Sequence, residues 1–186
     1  MSTLIGVGGP LRSGKDAFAE VLERKHGFVR MGMSDPLHHA MLALDPIIAP
    51  GQLRYSAATH KYGYVRTKEL FPEARALLQR LGTEVGRAFF GGDAWAKIAE
   101  RNITRHLAAG NSVVITGVRF PEELEMVHRL GGRSLWMKRP GLDSNTSAHA
   151  SEHSLSSADF GATILNDGDL NDLALAADRF VKGLSL

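Results

Sequence analysis

The sequence predicts an α/β protein built on a parallel five-stranded sheet flanked by helices, and three observations carry that expectation. Short apolar, often β-branched runs at 4–7, 112–116 and 134–138 suit buried strands. Between such runs the apolar residues recur at helical spacing, as at Phe18, Val21 and Leu22 or at Leu170, Leu173, Ala174, Ala177 and Val181. Gly and Pro punctuate the junctions, so strands alternate with helices along the chain, the pattern of right-handed crossovers in a parallel sheet. Ligands of such a sheet bind at the carboxyl ends of its strands.

The first junction is the most informative. The run from Thr3 to Phe18 reads T-L-I-G-V-G-G-P-L-R-S-G-K-D-A-F, and Gly9, Gly14 and Lys15 fit the spacing G-x-x-x-x-G-K. Backbone N–H groups must turn inward around phosphate oxygens there, and a β-carbon would block several of the dihedrals required. Lys15 supplies a mobile positive charge for the β- and γ-phosphates, and the helix it opens points its positive end at the same anion. This makes the expected architecture the P-loop NTPase fold, with Gly9, Leu11, Arg12, Ser13, Gly14, Lys15, Asp16 and Ala17 around the phosphates of ATP. Where the motif places a Ser or Thr for Mg²⁺, this chain has Asp16. A carboxylate is a hard-oxygen ligand, so Asp16 binds the metal directly or through water, or the metal is held elsewhere.

Composition bounds the rest. At 186 residues, the chain is read as one P-loop domain, a core of about 1–44 and 110–186 carrying an acceptor-binding insertion of about 45–109. A hydrophobic fraction of 44% and a charged fraction of 23% are ordinary for a globular protein. A net charge of +2 is too small to argue for nucleic acid. With no cysteine there are no disulfides or thiolate metal sites. No apolar run approaches the roughly 18 residues of a membrane span, and the N-terminus enters a strand with no signal peptide. A cytoplasmic location is the expectation, and a homodimer is one option for an oligomeric state the sequence leaves open.

Taken in order, a helix over about 15–25 ends at Gly27, and Phe28–Met31 reads as the second strand. Ser34-Asp35-Pro36 marks a helix start, so Asp35 is a cap, and its place after the second strand also makes it a candidate metal-water or acceptor contact. His38 and His39 read as surface. Residues 45–72 are the least regular, punctuated by Pro46, Pro50, Gly51, Gly63 and Pro72 and rich in cations and aromatics that include Arg54, Arg66 and Lys68. They read as a solvated loop or as a flap that closes over substrate. A helix follows with Ala74, Leu77, Leu78, Leu81, Val85 and Phe89 on one face and Thr83, Glu84 and Arg87 on a polar edge. Asp93 caps the next helix, which carries Trp95.

The strand S-V-V-I-T would be expected to end in an acidic metal-site residue, but Gly117 follows. Arg119, two residues on, is either a salt-bridge partner or a phosphate contact, a role suited to a planar, always-charged guanidinium. Arg139 precedes a polar segment and is either a lid arginine that offsets charge on the transferring phosphoryl group or a surface residue. Asn166-Asp167-Gly168 reads as a turn and helix cap, with Asn166 also a candidate contact to adenine. His149–His153 matches H-x-x-E-H, a zinc-hydrolase pattern, yet it abuts a polar run and lies in a chain with a good phosphate loop, so a helix start is the better reading.

The blocks L-R-S-G-K-D, S-D-P-L, L-Q-R-L-G-T-E-V-G-R, G-D-A-W, V-V-I-T-G-V-R-F-P, R-P-G, S-E-H and N-D-G-D-L, spread from residue 4 to about 173, resemble bacteriophage deoxynucleoside monophosphate kinases. The resemblance implies ATP- and Mg²⁺-dependent phosphorylation of a deoxynucleoside monophosphate, with small-molecule nucleotides as substrates and no nucleic acid or membrane as partner, in the host cytoplasm if the chain is phage-encoded. It matches Arg12, Gly14 and Lys15 to the ATP-phosphate loop and Arg119 to the V-R-F-P block. It places Asp35, Glu84, Arg87 and Trp95 on the acceptor side. Members of that family often carry Thr and Asp where this chain has Ala17 and Gly117. A phosphomevalonate-type kinase shares the S-G-K-D loop, and a non-catalytic nucleotide-binding regulator would suit the absent acid.

Overall fold

The structure, a computed structural model, describes residues 2–142 and 154–184. The H-x-x-E-H run and the S-E-H block fall outside the described residues. Two compact units divide the chain, Met1–Met33 with Ala99–Leu186 and Ser34–Ile98.

The first unit begins with β1 (Leu4–Gly8), α1 (Lys15–His26) and β2 (Val29–Gly32). The second contains α2 (Asp35–Leu44), the hairpin strands β3 (Ile47–Ala49) and β4 (Leu53–Arg54), α3 (Tyr55–Tyr62), α4 (Tyr64–Leu70), α5 (Pro72–Arg80), a π-helical stretch (Leu81–Arg87) and α6 (Ala88–Phe90). The unit boundary then falls inside α7 (Ala94–Ala108). The first unit resumes with β5 (Val113–Val118), α8 (Pro121–Arg129), β6 (Arg133–Lys138), β7 (Ala162–Leu165) and α9 (Leu170–Leu184).

Five strands form one sheet in the order β2-β5-β1-β6-β7, and every pairing is parallel. This is the α/β architecture read from the sequence. Successive residues of β1 face opposite sides of the sheet. Ile5 and Val7 join Phe18, Leu22, Leu173 and Ala177 in a core under α1 and α9. Gly6 faces the other way, where a β-carbon would stand 2.7 Å from Val127 Cγ2, so α8 packs against the bare strand backbone. β1 pairs with β5 in register from Leu4–Val113 to Val7–Thr116, and then Gly8 lies opposite Val118. Gly117 is the extra residue of a β-bulge. Its φ of 82° lies in the left-handed region, which accounts for glycine where an acid was expected.

The second unit has its own core of Met41, Ile48, Tyr55, Ala58, Ala74 and Leu78. It differs from the sequence reading in three respects. Because Met41 packs in this core, α2 belongs with the second unit, and the unit spans 34–98 in place of 45–109. The segment 45–72 is a hairpin and two short helices rather than an irregular loop, anchored by fully buried Tyr55, Ala58 and Thr67. The single helix expected from Glu73 to Phe89 passes into a π-helix at Leu81, which rotates Val85 (41% exposed) and Phe89 (79% exposed) off the buried face.

The π-helix packs against one aromatic ring. The Trp95 indole N–H donates to the Gly82 carbonyl at 2.8 Å, and a β-carbon at Gly86 would stand 2.2 Å from Trp95 Cζ2. The aromatic ring thus lies flush on the helix backbone and captures a carbonyl of the π stretch.

Candidate functional site

At the carboxyl end of β1 the chain turns through the loop that the glycine-lysine spacing marks. Gly9 has φ 129° and a β-carbon there would strike the Met137 carbonyl oxygen at 2.3 Å. Gly14 caps α1 with φ 101°, and its β-carbon would lie 2.3 Å from Asn166 Nδ2. Between them Leu11 and Arg12 are exposed, Arg12 adopting φ 64°, whereas Ser13 is fully buried with its N–H on the Pro10 carbonyl at 3.2 Å. Ala17 packs against the first core from the first turn of α1.

The Lys15 side chain is folded into the loop. Its Nζ donates to the carbonyl oxygens of Gly9, at 2.8 Å, and Pro10, and lies 3.5 Å from Ser13 Oγ. The residue is only 8% exposed. An ammonium presented from within the loop, at the N-terminus of a twelve-residue helix, is an anion-binding arrangement built from backbone and one charge.

Asp16 sits one residue further along α1. Its Oδ1 accepts a hydrogen bond from Thr116 Oγ1 at 3.1 Å, and Thr116 belongs to β5, the strand beside β1. Thr116 is not among the site residues read from the sequence, because one hundred residues separate the pair. Among the described residues no group of three or more His, Cys, Asp or Glu side chains is arranged to hold a metal. Mg²⁺ commonly takes one or two carboxylates and completes its shell with phosphate oxygens and waters, so exposed Asp16 beside the phosphate loop fits that mode of binding.

Arg119 follows the end of β5 by one residue. Its backbone N–H donates to Glu123 Oε2 at 2.8 Å, and the N–H of Phe120 donates to the same oxygen at 3.2 Å. Glu123 is only 6% exposed. Burial pushes its carboxyl up to about 7, against the lowering effect of those two backbone donors. Arg139 is exposed just past the end of β6, in a turn closed by the Leu142 N–H on its carbonyl at 3.2 Å.

Asn166, read from the sequence as a turn residue and candidate adenine contact, lies against the phosphate loop. It is 6% exposed, and its Nδ2 donates to the Ser13 carbonyl at 2.9 Å, so the amide braces the phosphate loop from behind. Asp169 caps α9 instead, its Oδ1 accepting the N–H groups of Asn171 and Asp172 at 2.7 and 3.0 Å.

The second unit holds the remaining residues. Asp35 opens α2, and His38, one turn on, is half-buried rather than on the surface. His38 Nδ1 lies 2.8 Å from Tyr55 Oη, and its ring centroid is 4.5 Å from that of Tyr64. Burial, more than the neighbouring His39, holds the His38 imidazole below its ordinary value. Lys68 Nζ lies 3.9 Å from the Tyr64 ring centroid. Asp35, His38, Tyr55, Tyr64 and Lys68 therefore form one polar-aromatic cluster. Arg54 donates to the Asp45 carbonyl at 2.8 Å, Glu84 pairs with Arg80 at 3.6 Å on the exposed helix face, and Arg66 is exposed. Arg87 closes the π-helix and is half-buried. Trp95, expected on the acceptor side, has its indole N–H committed to Gly82.

A parallel sheet in this order, with a glycine-lysine loop joining its central strand to a helix, defines the P-loop kinase class of phosphotransferase. The dephospho-CoA kinase from Campylobacter jejuni has the same fold, with a TM-score of 0.51 at 13% identity over 98% of this chain and 97% of that one. A family model for deoxynucleotide monophosphate kinase matches residues 52–176. A protein of Acanthamoeba polyphaga mimivirus, provisionally named a deoxynucleotide monophosphate kinase, is 30% identical over 171 residues, 83% of this chain and 82% of its own length. The chain belongs to the deoxynucleotide monophosphate kinase family. Protein ORF77 of Ictalurid herpesvirus 1 (strain Auburn) is 34% identical over 102 residues, 53% of this chain, and the match spans 44% of that protein's length.

Proposed function

We propose that this protein transfers the γ-phosphoryl group of ATP to the 5′-phosphate of a deoxynucleoside monophosphate, releasing ADP and the deoxynucleoside diphosphate. The observation that carries the reading is the Lys15 ammonium held inside the loop, 2.8 Å from the Gly9 carbonyl, at the N-terminus of α1. Membership of the family supports the acceptor class.

An oxygen of the acceptor phosphate attacks the γ-phosphorus in line with the bond to the β–γ bridging oxygen. That bond breaks as the new one forms. The acceptor phosphate is already anionic near neutral pH, so no strong general base is needed, and positioning with charge neutralisation supplies the catalysis. Lys15 and backbone N–H groups of the loop and of the first turn of α1 bind the phosphates of ATP. Arg119 and Arg139 offset charge on the transferred group. Asp16, hydrogen-bonded by Thr116, is the carboxylate that would take Mg²⁺, which when bound would neutralise phosphate charge. Asp35, His38, Lys68 and Arg87, with Arg54 and Arg66, are the acceptor-side residues. The substrates are small nucleotides, with no nucleic acid or membrane involved, and the reaction belongs in the cytoplasm.

The test is ADP release with ATP and Mg²⁺ against a panel of deoxynucleoside monophosphates, with mevalonate phosphate and a no-acceptor control. Turnover with one or more nucleotides is the expected result and also reveals the base preference. The bulge at Gly117, which leaves β5 without its acid, favours one other reading, a nucleotide-binding regulator. ATP binding with no acceptor phosphorylated would replace the kinase with that reading.

A further inference from the structure

We propose that Glu123 is a positioning residue for Arg119, its carboxylate fixing the turn from which the guanidinium extends. The inference rests on the reading of Arg119 as a contact to the transferred phosphoryl group.

An acidic residue in the first turn of a helix commonly caps it from the surface. Glu123 departs from that pattern in two ways. Its shorter bond, 2.8 Å, goes to the N–H of Arg119, which lies outside the helix, while the N–H at the cap position itself, Phe120, is 3.2 Å away. Its carboxyl is also withdrawn from solvent, with 6% of the residue exposed. Burying a carboxylate is unfavourable, and a surface cap would hold α8 without that cost. Arg119 and Glu122 are the charged groups that act on it, with opposite sign.

The local backbone explains why such an anchor is useful. Gly117 bulges with φ 82° and β5 ends at Val118, so Arg119 lies just beyond the strand. One oxygen gripping two successive N–H groups there fixes the direction in which the chain leaves the strand. A small displacement of a charge that must meet a transition state costs up to about 100-fold in rate, which is the scale at issue for Arg119.

The experiment compares Glu123→Ala and Glu123→Gln in the full chain. Thermal unfolding sets an assay temperature at which both are folded. Steady-state kinetics with ATP and the preferred acceptor are then read beside amide hydrogen exchange at Arg119 and Phe120. Glu123→Ala is expected to lose about tenfold or more in kcat with acceptor KM little changed, and to lose amide protection at Arg119. Glu123→Gln keeps an acceptor oxygen and is expected to restore most of both. If Glu123→Ala does not fold, Glu123→Asp takes its place, since the shorter side chain withdraws the carboxylate from the Arg119 N–H. Loss of kcat in that variant supports the assignment. A folded Glu123→Ala or Glu123→Asp with kcat within about twofold of the wild type makes Glu123 a helix cap only. A wild-type protein that phosphorylates no nucleotide overturns the functional reading and the positioning role together, an outcome distinct from unchanged kcat in an active enzyme.

Discussion

Thr116 Oγ1 donates a hydrogen bond to Asp16 Oδ1 at 3.1 Å, joining β5 to the first turn of α1. P-loop enzymes in general put a hydroxyl on the loop and a carboxylate on the strand to hold Mg²⁺. Here the helix carries the carboxylate, while β5 has Gly117 where an acid is expected and contributes the Thr116 hydroxyl one residue earlier. Removing the hydroxyl with Thr116→Val keeps the shape and leaves Asp16 unoriented. We expect Mg²⁺ to act about 10-fold more weakly, the lower end for losing a group that orients a metal ligand. Calorimetry of ATP binding across an Mg²⁺ series checks this, and an unchanged Mg²⁺ dependence would detach Asp16 from the metal.

Lys15 is the charge on which the phosphate reading depends. Lys15→Ala should lose at least about 100-fold in turnover, the scale of removing one preorganised charge contact. Near-normal kcat in that variant would remove the phosphate loop from the mechanism.

Glu123 gives a pH dependence whose sign can be worked out. Its carboxyl is pushed from 4.5 up to about 7 by burial. The folded protein therefore holds a proton that the unfolded chain releases between those values, so this contribution is full below about 4.5 and is lost as pH rises through about 7. Each tenfold difference in proton affinity between the folded and unfolded chains corresponds to about 1.4 kcal/mol. Wild type should therefore lose on the order of 2 kcal/mol relative to Glu123→Gln between about pH 5 and 8. Urea unfolding of the pair at several pH values measures the difference. It also cancels His38, whose lowered imidazole acts in the opposite direction.

Gly86 and Trp95 make a packing prediction. A β-carbon at Gly86 would stand 2.2 Å from the indole, so Gly86→Ala must displace the ring and should cost about 1–3 kcal/mol. Trp95→Phe gives up the bond to the Gly82 carbonyl, worth about 1 kcal/mol. Because both changes act on one contact, the double variant should cost less than the sum. Chemical denaturation of the four proteins tests it, and strict additivity would mean that the ring does not hold the π-helix.

The first unit is largely legible in the sequence, since its strands are continuous apolar runs and its loop has a fixed glycine-lysine spacing. The second unit is not. Strands of two and three residues and helices of seven and eight are too short to show a period between Pro50, Gly51, Gly63 and Pro72. His38 reads as exposed because Tyr55, which buries it, lies 17 residues on. Glu123 carries no signal of its role, because an acid in a first helical turn is ordinary until its burial is known. Gly117 stands out as a missing acid, but the bulge that requires glycine depends on the register with β1.

The π-helical stretch at Leu81–Arg87 has one more consequence. Each backbone bond there spans one more residue than in an α-helix, so the stretch behaves as an α-helix into which a residue has been spliced. Excising one residue between Gly82 and Gly86 would return the stretch to α-helical bonding, leaving α5 and α7 intact in length and Arg87 close to its present bearing about the helix axis. The segment is thus a place where the chain can gain or lose one residue while the side chains on either side keep their bearings.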